Sequence, residues 1–104
     1  MFARNVSFRL KSNTHSDYTR TFENDILPIL RKQKGFKEEI TLSNSTSQEA
    51  NAISLWDNKA NADAYNTNTY PEVLRKVATF IDGTPKVQTF ETVMSTFHNA
   101  PVAV

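Results

Sequence analysis

The chain has 104 residues, 12 basic and 11 acidic, for a net charge of +1. The charges alternate in sign along the sequence, which excludes the basic footprint of a nucleic-acid or membrane-surface binder. Cysteine is absent, which excludes disulfides, thiol catalysis and thiolate metal sites and fits a cytoplasmic setting.

The length predicts a single domain over residues 1–104, with a core of modest size. Seven Phe, three Tyr and one Trp make its anchors few but bulky. No apolar run approaches membrane-spanning length.

Residues 2–10 alternate. Phe2, Val6, Phe8 and Leu10 point one way, with Arg4 the exception among them; Ala3, Asn5, Ser7 and Arg9 point the other. This is the pattern of a strand, not of a signal peptide. Residues 15–33 carry a helical stripe of Tyr18, Phe22, Ile26, Ile29 and Leu30, with Pro28 predicting a kink and Gly35 a left-handed stop.

A second strand is predicted over 36–43, with Phe36, Glu38, Ile40 and Leu42 on one face. A polar loop leads to a third over 49–57, with Ile53 and Leu55 facing one way and Ala52, Ser54 and Trp56 the other. Adjacent strands joined by a short loop form an antiparallel hairpin. A short helix follows from about Lys59 to Asn66 and breaks at Thr67-Asn68-Thr69. A second helix starts at Tyr70-Pro71-Glu72, with Thr69 and Glu72 at capping-box spacing, and runs to a stop at Gly83. Residues 85–97 read as the fourth strand and 98–104 as a tail.

The order is therefore β-α-β-β-α-β with a split second helix: a ferredoxin-like α+β fold with a four-stranded antiparallel sheet. Helices cover one face of such a sheet. The other face is expected to carry Ala3, Asn5, Ser7 and Arg9 from the first strand and Ala52, Ser54 and Trp56 from the third. Its mixed character predicts a homodimer packed sheet against sheet, with a part-polar cavity in each half.

Three motifs carry a resemblance. They are the opening strand Asn5-Val6-Ser7-Phe8, the run Ile26-Leu27-Pro28-Ile29-Leu30 followed by Gly35-Phe36, and the corner Leu55-Trp56-Asp57-Asn58-Lys59 with Ala64-Tyr65 after it. Together they span nearly the whole chain. The sequence resembles the antibiotic-biosynthesis-monooxygenase superfamily, whose fold is the dimeric α+β barrel. That superfamily includes cofactor-independent oxygenases of quinol-type aromatics and haem-degrading enzymes.

The resemblance implies a role for Asn5 as the group that polarises a substrate carbonyl, a phenolate or bound oxygen, since haem-degrading members carry an Asn at the matching strand position. Those members also carry a Trp and an iron-ligating His, where this chain has Tyr65 and a residue near Arg75. No histidine lies between residues 16 and 97, so haem degradation is not expected. Trp56 and Tyr65 are expected to wall the site, with Arg9 attracting an anionic group and Tyr70 offering a phenol. The alternatives for Asn5 and Arg9 are interface contacts, and for the aromatics plain packing.

Two histidines, no cysteine and no carboxylates at ligand spacing predict no metal site. Two glycines cannot build a nucleotide-binding loop, and no cofactor is expected. Glu38 and Glu39 are strand neighbours on opposite faces and cannot form a carboxylate pair. The functional expectation is cofactor-independent oxidation of a small aromatic. The alternatives are a non-catalytic small-molecule-binding or stress-related dimer and a purely structural domain.

Overall fold

The computed structural model describes residues 1–96. Strand β1 (Phe2–Leu10) leads to a helical stretch of three pieces: α1 (His15–Thr21), a π-helical turn (Phe22–Ile26) and α2 (Leu27–Arg31). Strands β2 (Phe36–Ser43) and β3 (Glu49–Trp56) form the hairpin. Then come α3 (Lys59–Asn68), α4 (Tyr70–Val77), a 3₁₀ turn (Ala78–Phe80) and β4 (Ile81–Glu91). The four antiparallel strands lie in the order β2-β3-β1-β4. This is the ferredoxin-like α+β arrangement read from the sequence.

The expected kink is a π turn just before Pro28. The Leu27 N–H donates to the Phe22 carbonyl, five residues back. Pro28 has no N–H for the carbonyl of Asn24, and its ring would crowd that group in a regular α-helix; one wide turn relieves both. Tyr18, Ile26 and Leu30 are buried and Phe22 and Ile29 half-buried, so the stripe faces the sheet as expected. The second helix divides only at Thr69. Its hydroxyl bonds the Gln33 side chain at 3.2 Å and makes no capping bond.

Gly35 takes φ +81°. A side chain there would run into the Asp57 carboxylate and the Asn61 amide. Those two groups bond each other at 2.7 Å, and the Asp57 N–H donates to the Gly35 carbonyl at 2.8 Å. Asn58 caps α3 by accepting from the Asn61 N–H at 2.9 Å. The corner after Trp56 is thus locked to the end of α2.

Register settles which residues share a face. Phe2 lies opposite Trp56, Arg4 opposite Ser54, Val6 opposite Ala52 and Phe8 opposite Ala50. Directly opposed residues point the same way, so Ala50, Ala52, Ser54 and Trp56 lie on the helix-covered face. This corrects the expectation that Ala52, Ser54 and Trp56 share the uncovered face with Asn5. A backbone of alternating residues fixes parity within a strand but not between strands, and β3 pairs with its neighbours one residue out of the phase assumed. Trp56 is fully buried, its ring edge-on to Phe36 at 5.7 Å.

Two irregularities explain other differences. The β2–β3 register shifts between Phe36 and Glu38. Phe36 therefore faces the core, whereas Glu38, Ile40 and Leu42 face the open side. Strand β4 begins at Ile81 rather than Pro85, and Gly83 (φ +80°) sits inside it beside a register shift against β1. Gly83 does not end a helix; it lets the strand bulge. The expected tail and the last expected strand residue, Phe97, lie outside the described residues.

Candidate functional site

Small side chains on β3 make room beneath the helices. Ala52 and Ser54, with Val6 and Phe8 beside them on β1, floor a chamber of about 40 Å³ roofed by Val73, Leu74 and Val77. At its edge, between β2 and α1, a wider cleft of about 270 Å³ is lined by His15, Thr19, Leu27, Thr41 and Ser43, among others. Chamber and cleft share Tyr18, Phe22 and Glu39 as walls. Together they come near the lower end of the roughly 300–1,000 Å³ typical of small-molecule sites.

The polar groups of the chamber stand in a row across three strands. Arg4 on β1 pairs with Ser54 on β3, and Ser54 with Glu39 on β2. Adjacent strands are about 4.8 Å apart, so the Arg4 and Glu39 backbones are separated by about 10 Å, both side chains rising on the helical face. A cation and a carboxyl therefore stand on opposite sides of one small cavity.

Arg4 is 3% exposed. Its guanidinium lies 4.1 Å from the Tyr70 ring centre and 5.2 Å from that of Tyr65. One Nη donates to the Asn66 side-chain oxygen at 2.7 Å. Burial lowers the Arg4 pKa, against the pull of Tyr65, Tyr70 and Glu39. A guanidinium nonetheless stays charged at neutral pH.

Burial pushes the Glu39 carboxyl up to about 8, although the Thr41 hydroxyl, 3.3 Å away, and the Arg4 charge both favour the carboxylate. Glu39 is half-buried by its accessible surface, and its surroundings favour the protonated form. Burial also raises the phenols of Tyr18, Tyr65 and Tyr70, so these rings enter as neutral walls and hydroxyl donors.

The aromatic side chains form two separate groups. Tyr65 packs on Trp56 at 5.0 Å and reaches Tyr70 at 6.3 Å; on the far side Phe8, Tyr18 and Phe22 follow at 5.2 and 5.8 Å. Trp56 does not line the chamber, contrary to its expected place in the wall. It supports Tyr65 from beneath, and its indole N–H donates to the Ser54 hydroxyl at 2.9 Å.

The structure brings Tyr65 and Tyr70 to the chamber but leaves Asn5 and Arg9 on the opposite side of the sheet. The Asn5 amide is 3.5 Å from the Ser7 hydroxyl, which donates to Asn51 at 2.9 Å. Arg9 is exposed. Arg4 and Glu39 were missed. The signal for Arg4 was a cation in an otherwise apolar strand stripe; for Glu39 no such signal exists without the β2 irregularity. His15 is half-buried, and its Nε2 is buried without a partner among the described residues. His98 lies outside the described residues.

Among the described residues no cluster of three His, Asp or Glu side chains could hold a metal ion, and no helix is long and apolar enough to cross a membrane.

No protein-family model and no curated protein matches this sequence. Solved structures do match the fold. One, provisionally named an antibiotic biosynthesis monooxygenase, from Bordetella bronchiseptica, superposes with a TM-score of 0.74 at 14% identity, covering 89% of this chain and 97% of its own. A variant of SnoaB, a cofactor-independent oxygenase from Streptomyces nogalater, gives a TM-score of 0.72 at 12% identity, covering 93% and 97%. A protein of unknown function from Nitrosomonas europaea gives 0.70 at 16% identity, with 95% of both chains covered. The chain therefore has the ferredoxin-like α+β fold shared by structures named as antibiotic biosynthesis monooxygenases.

Proposed function

We propose that the chamber beneath the helices is an active site for the cofactor-independent oxidation of a small quinol-type aromatic. The observation that carries this reading is the placement of Glu39: a half-buried carboxyl on the wall of an aromatic-lined cavity, opposite Arg4, where burial pushes its pKa up to about 8. A general base works best when its pKa lies near the working pH.

The carboxylate takes an acidic ring or phenolic proton. The resulting electron-rich anion reduces oxygen. A ring methylene becomes a carbonyl: it loses two hydrogens and gains one oxygen atom of O₂, and the second oxygen atom leaves with those hydrogens as water. No external reductant is needed. Tyr65 and Tyr70 stack against the ring, and the mostly apolar lining of the chamber strengthens each electrostatic contact. The fold shared with a cofactor-independent oxygenase supports this reading.

The open sheet face we assign to a second copy of the chain, in a cytoplasmic homodimer. Ile40, Leu42 and Phe90 are about half exposed there (44%, 50% and 53%) and lie near the half-buried Ile53 and Leu55. A face of that kind on a sheet covered by helices on one side only is suited to self-association. Asn5 and Arg9 then act at or beside the interface.

The test is oxygen uptake with anthrone-type and quinol substrates. Turnover by the wild type, reduced about 10²–10⁴-fold in Glu39→Gln, supports the site. No uptake by the folded wild-type protein across such a panel would leave the alternative, a binding module on the same fold.

A further inference from the structure

Arg4 is an unusual residue to find beneath a sheet's helices. Burying an ionised side chain is costly unless an opposite charge or a full set of hydrogen bonds accompanies it. The described ion pairs join Arg20 to Asp17 and Lys59 to Asp63, both on the surface; no described carboxylate lies within ion-pair distance of Arg4. Asn66 accepts one of its hydrogen bonds, and the rings of Tyr65 and Tyr70 face its plane. Its Nε–H is buried and has no acceptor among the described residues. Glu39, the nearest acid along the polar row, is two strands away.

The cation is therefore held in place, stacked and oriented beside a cavity that Arg4 lines, with one buried donor unused. The rest of the lining is mostly apolar, and Tyr18, Tyr65 and Tyr70 present flat surfaces. We infer that the ligand of the chamber carries a fixed negative charge, and that its class is an aryl carboxylate whose oxyanion binds Arg4 while its ring packs among the tyrosines.

This deepens the proposed function and rests on the same cavity. It adds a demand that oxidation chemistry does not make, because a quinol-type substrate could be neutral. The Nε–H of a guanidinium and a neighbouring Nη–H match a carboxylate in two parallel hydrogen bonds. The ring body extends toward the threshold formed by Tyr18, Phe22 and Glu39. A chamber of about 40 Å³ holds only a few waters, so the wider cleft takes whatever the chamber does not. Glu39 faces the ring from the other end of the polar row, which keeps carboxylate and base apart.

The experiment is calorimetric titration of the full chain under nitrogen, comparing 2-naphthoate and benzoate with their neutral amides, 2-naphthamide and benzamide. The wild type is expected to bind at least one carboxylate about tenfold or more tighter than the matching amide. Arg4→Gln should bring that ratio close to one while amide binding persists. Arg4→Lys, which keeps the charge but loses the fork, should keep part of the preference.

Equal affinity of the wild type for carboxylate and amide would overturn the inference, as would no binding of either, and neither result depends on a variant folding. A preference that survives in folded Arg4→Gln would also overturn it. Because the titration involves no oxygen, it separates from the proposed chemistry. Selective binding without oxygen uptake retains the anion site and removes the oxygenase reading; oxygen uptake with neutral substrates and no carboxylate preference does the reverse.

Discussion

The two faces of β1 are made from alternate residues of one strand, yet they do different work. Arg4, Val6 and Phe8 look into the helices, where Arg4 stands over small β3 side chains and meets two tyrosine rings. Ala3, Asn5, Ser7 and Arg9 look away, where Asn5, Ser7 and Asn51 bond one another beside a half-exposed apolar surface. On the open side the polar residues lie side by side, although the buried Asn5 Oδ1 has no partner among the described residues. On the covered side they are held apart, a cation and a carboxyl across a cavity. Polar groups held apart around a cavity are where chemistry or binding is sought; polar groups gathered on an open sheet face beside apolar ones are where association is sought.

The contrast can be broken from the covered side first. Trp56→Ala removes a fully buried ring that supports Phe36 and Tyr65. The expected loss is about 3–5 kcal/mol, read from the urea midpoint, and the loss of Tyr65 support should weaken ligand binding as well.

Gly35→Ala should cost about 1–3 kcal/mol. The position needs a left-handed backbone, and a Cβ there meets Asp57 and Asn61. The same denaturation experiment checks it.

Glu39 gives a pH signature. Its pKa rises from an ordinary 4.5 to about 8 on folding, so the folded state holds a proton that the unfolded state has lost. The stabilisation is complete below pH 4.5 and fades as pH rises through 8. Thermal melting of the protein without ligand should therefore fall across that window, and Glu39→Gln should flatten the slope.

On the open face, Leu42→Glu should shift the proposed dimer to monomer in light scattering, and the urea midpoint should fall with it, because association of folded chains adds to their stability. Asn5→Ala is expected to have the smallest effect of all on the fold, because the Asn5 amide makes a single long contact with Ser7.

Much of this arrangement was legible in the residue order. Helical stripes ending at Gly35 and at the Thr69 break, and the alternation of β1, are local patterns, and local patterns survive folding. The position of the site was not legible, because it depends on how β3 pairs with its neighbours. Ile53 and Leu55 looked like a core pair by hydrophobicity, yet they face outward, and the small Ala52 and Ser54 face the helices. A strand with small residues inside and large ones outside inverts the usual reading, and here it leaves a chamber under the helices and a partly exposed apolar face on the other side.

The shift between Phe36 and Glu38 hid Glu39 in the same way. Arg4 alone was visible as an exception, a cation in the apolar phase of its strand. That Arg4 and Glu39 lie on the covered face, with Asn5 on the other, follows only from the pairing register.

Oxygen uptake measured against pH for the wild type, Glu39→Gln and Asn5→Ala tests the central claim most directly. The account predicts wild-type turnover rising with a midpoint near pH 8, a Glu39→Gln rate lower by about 10²-fold or more with that rise gone, and an Asn5→Ala profile that overlays the wild type. Loss of turnover in Asn5→Ala with Glu39→Gln unaffected would place the chemistry on the open face and contradict it.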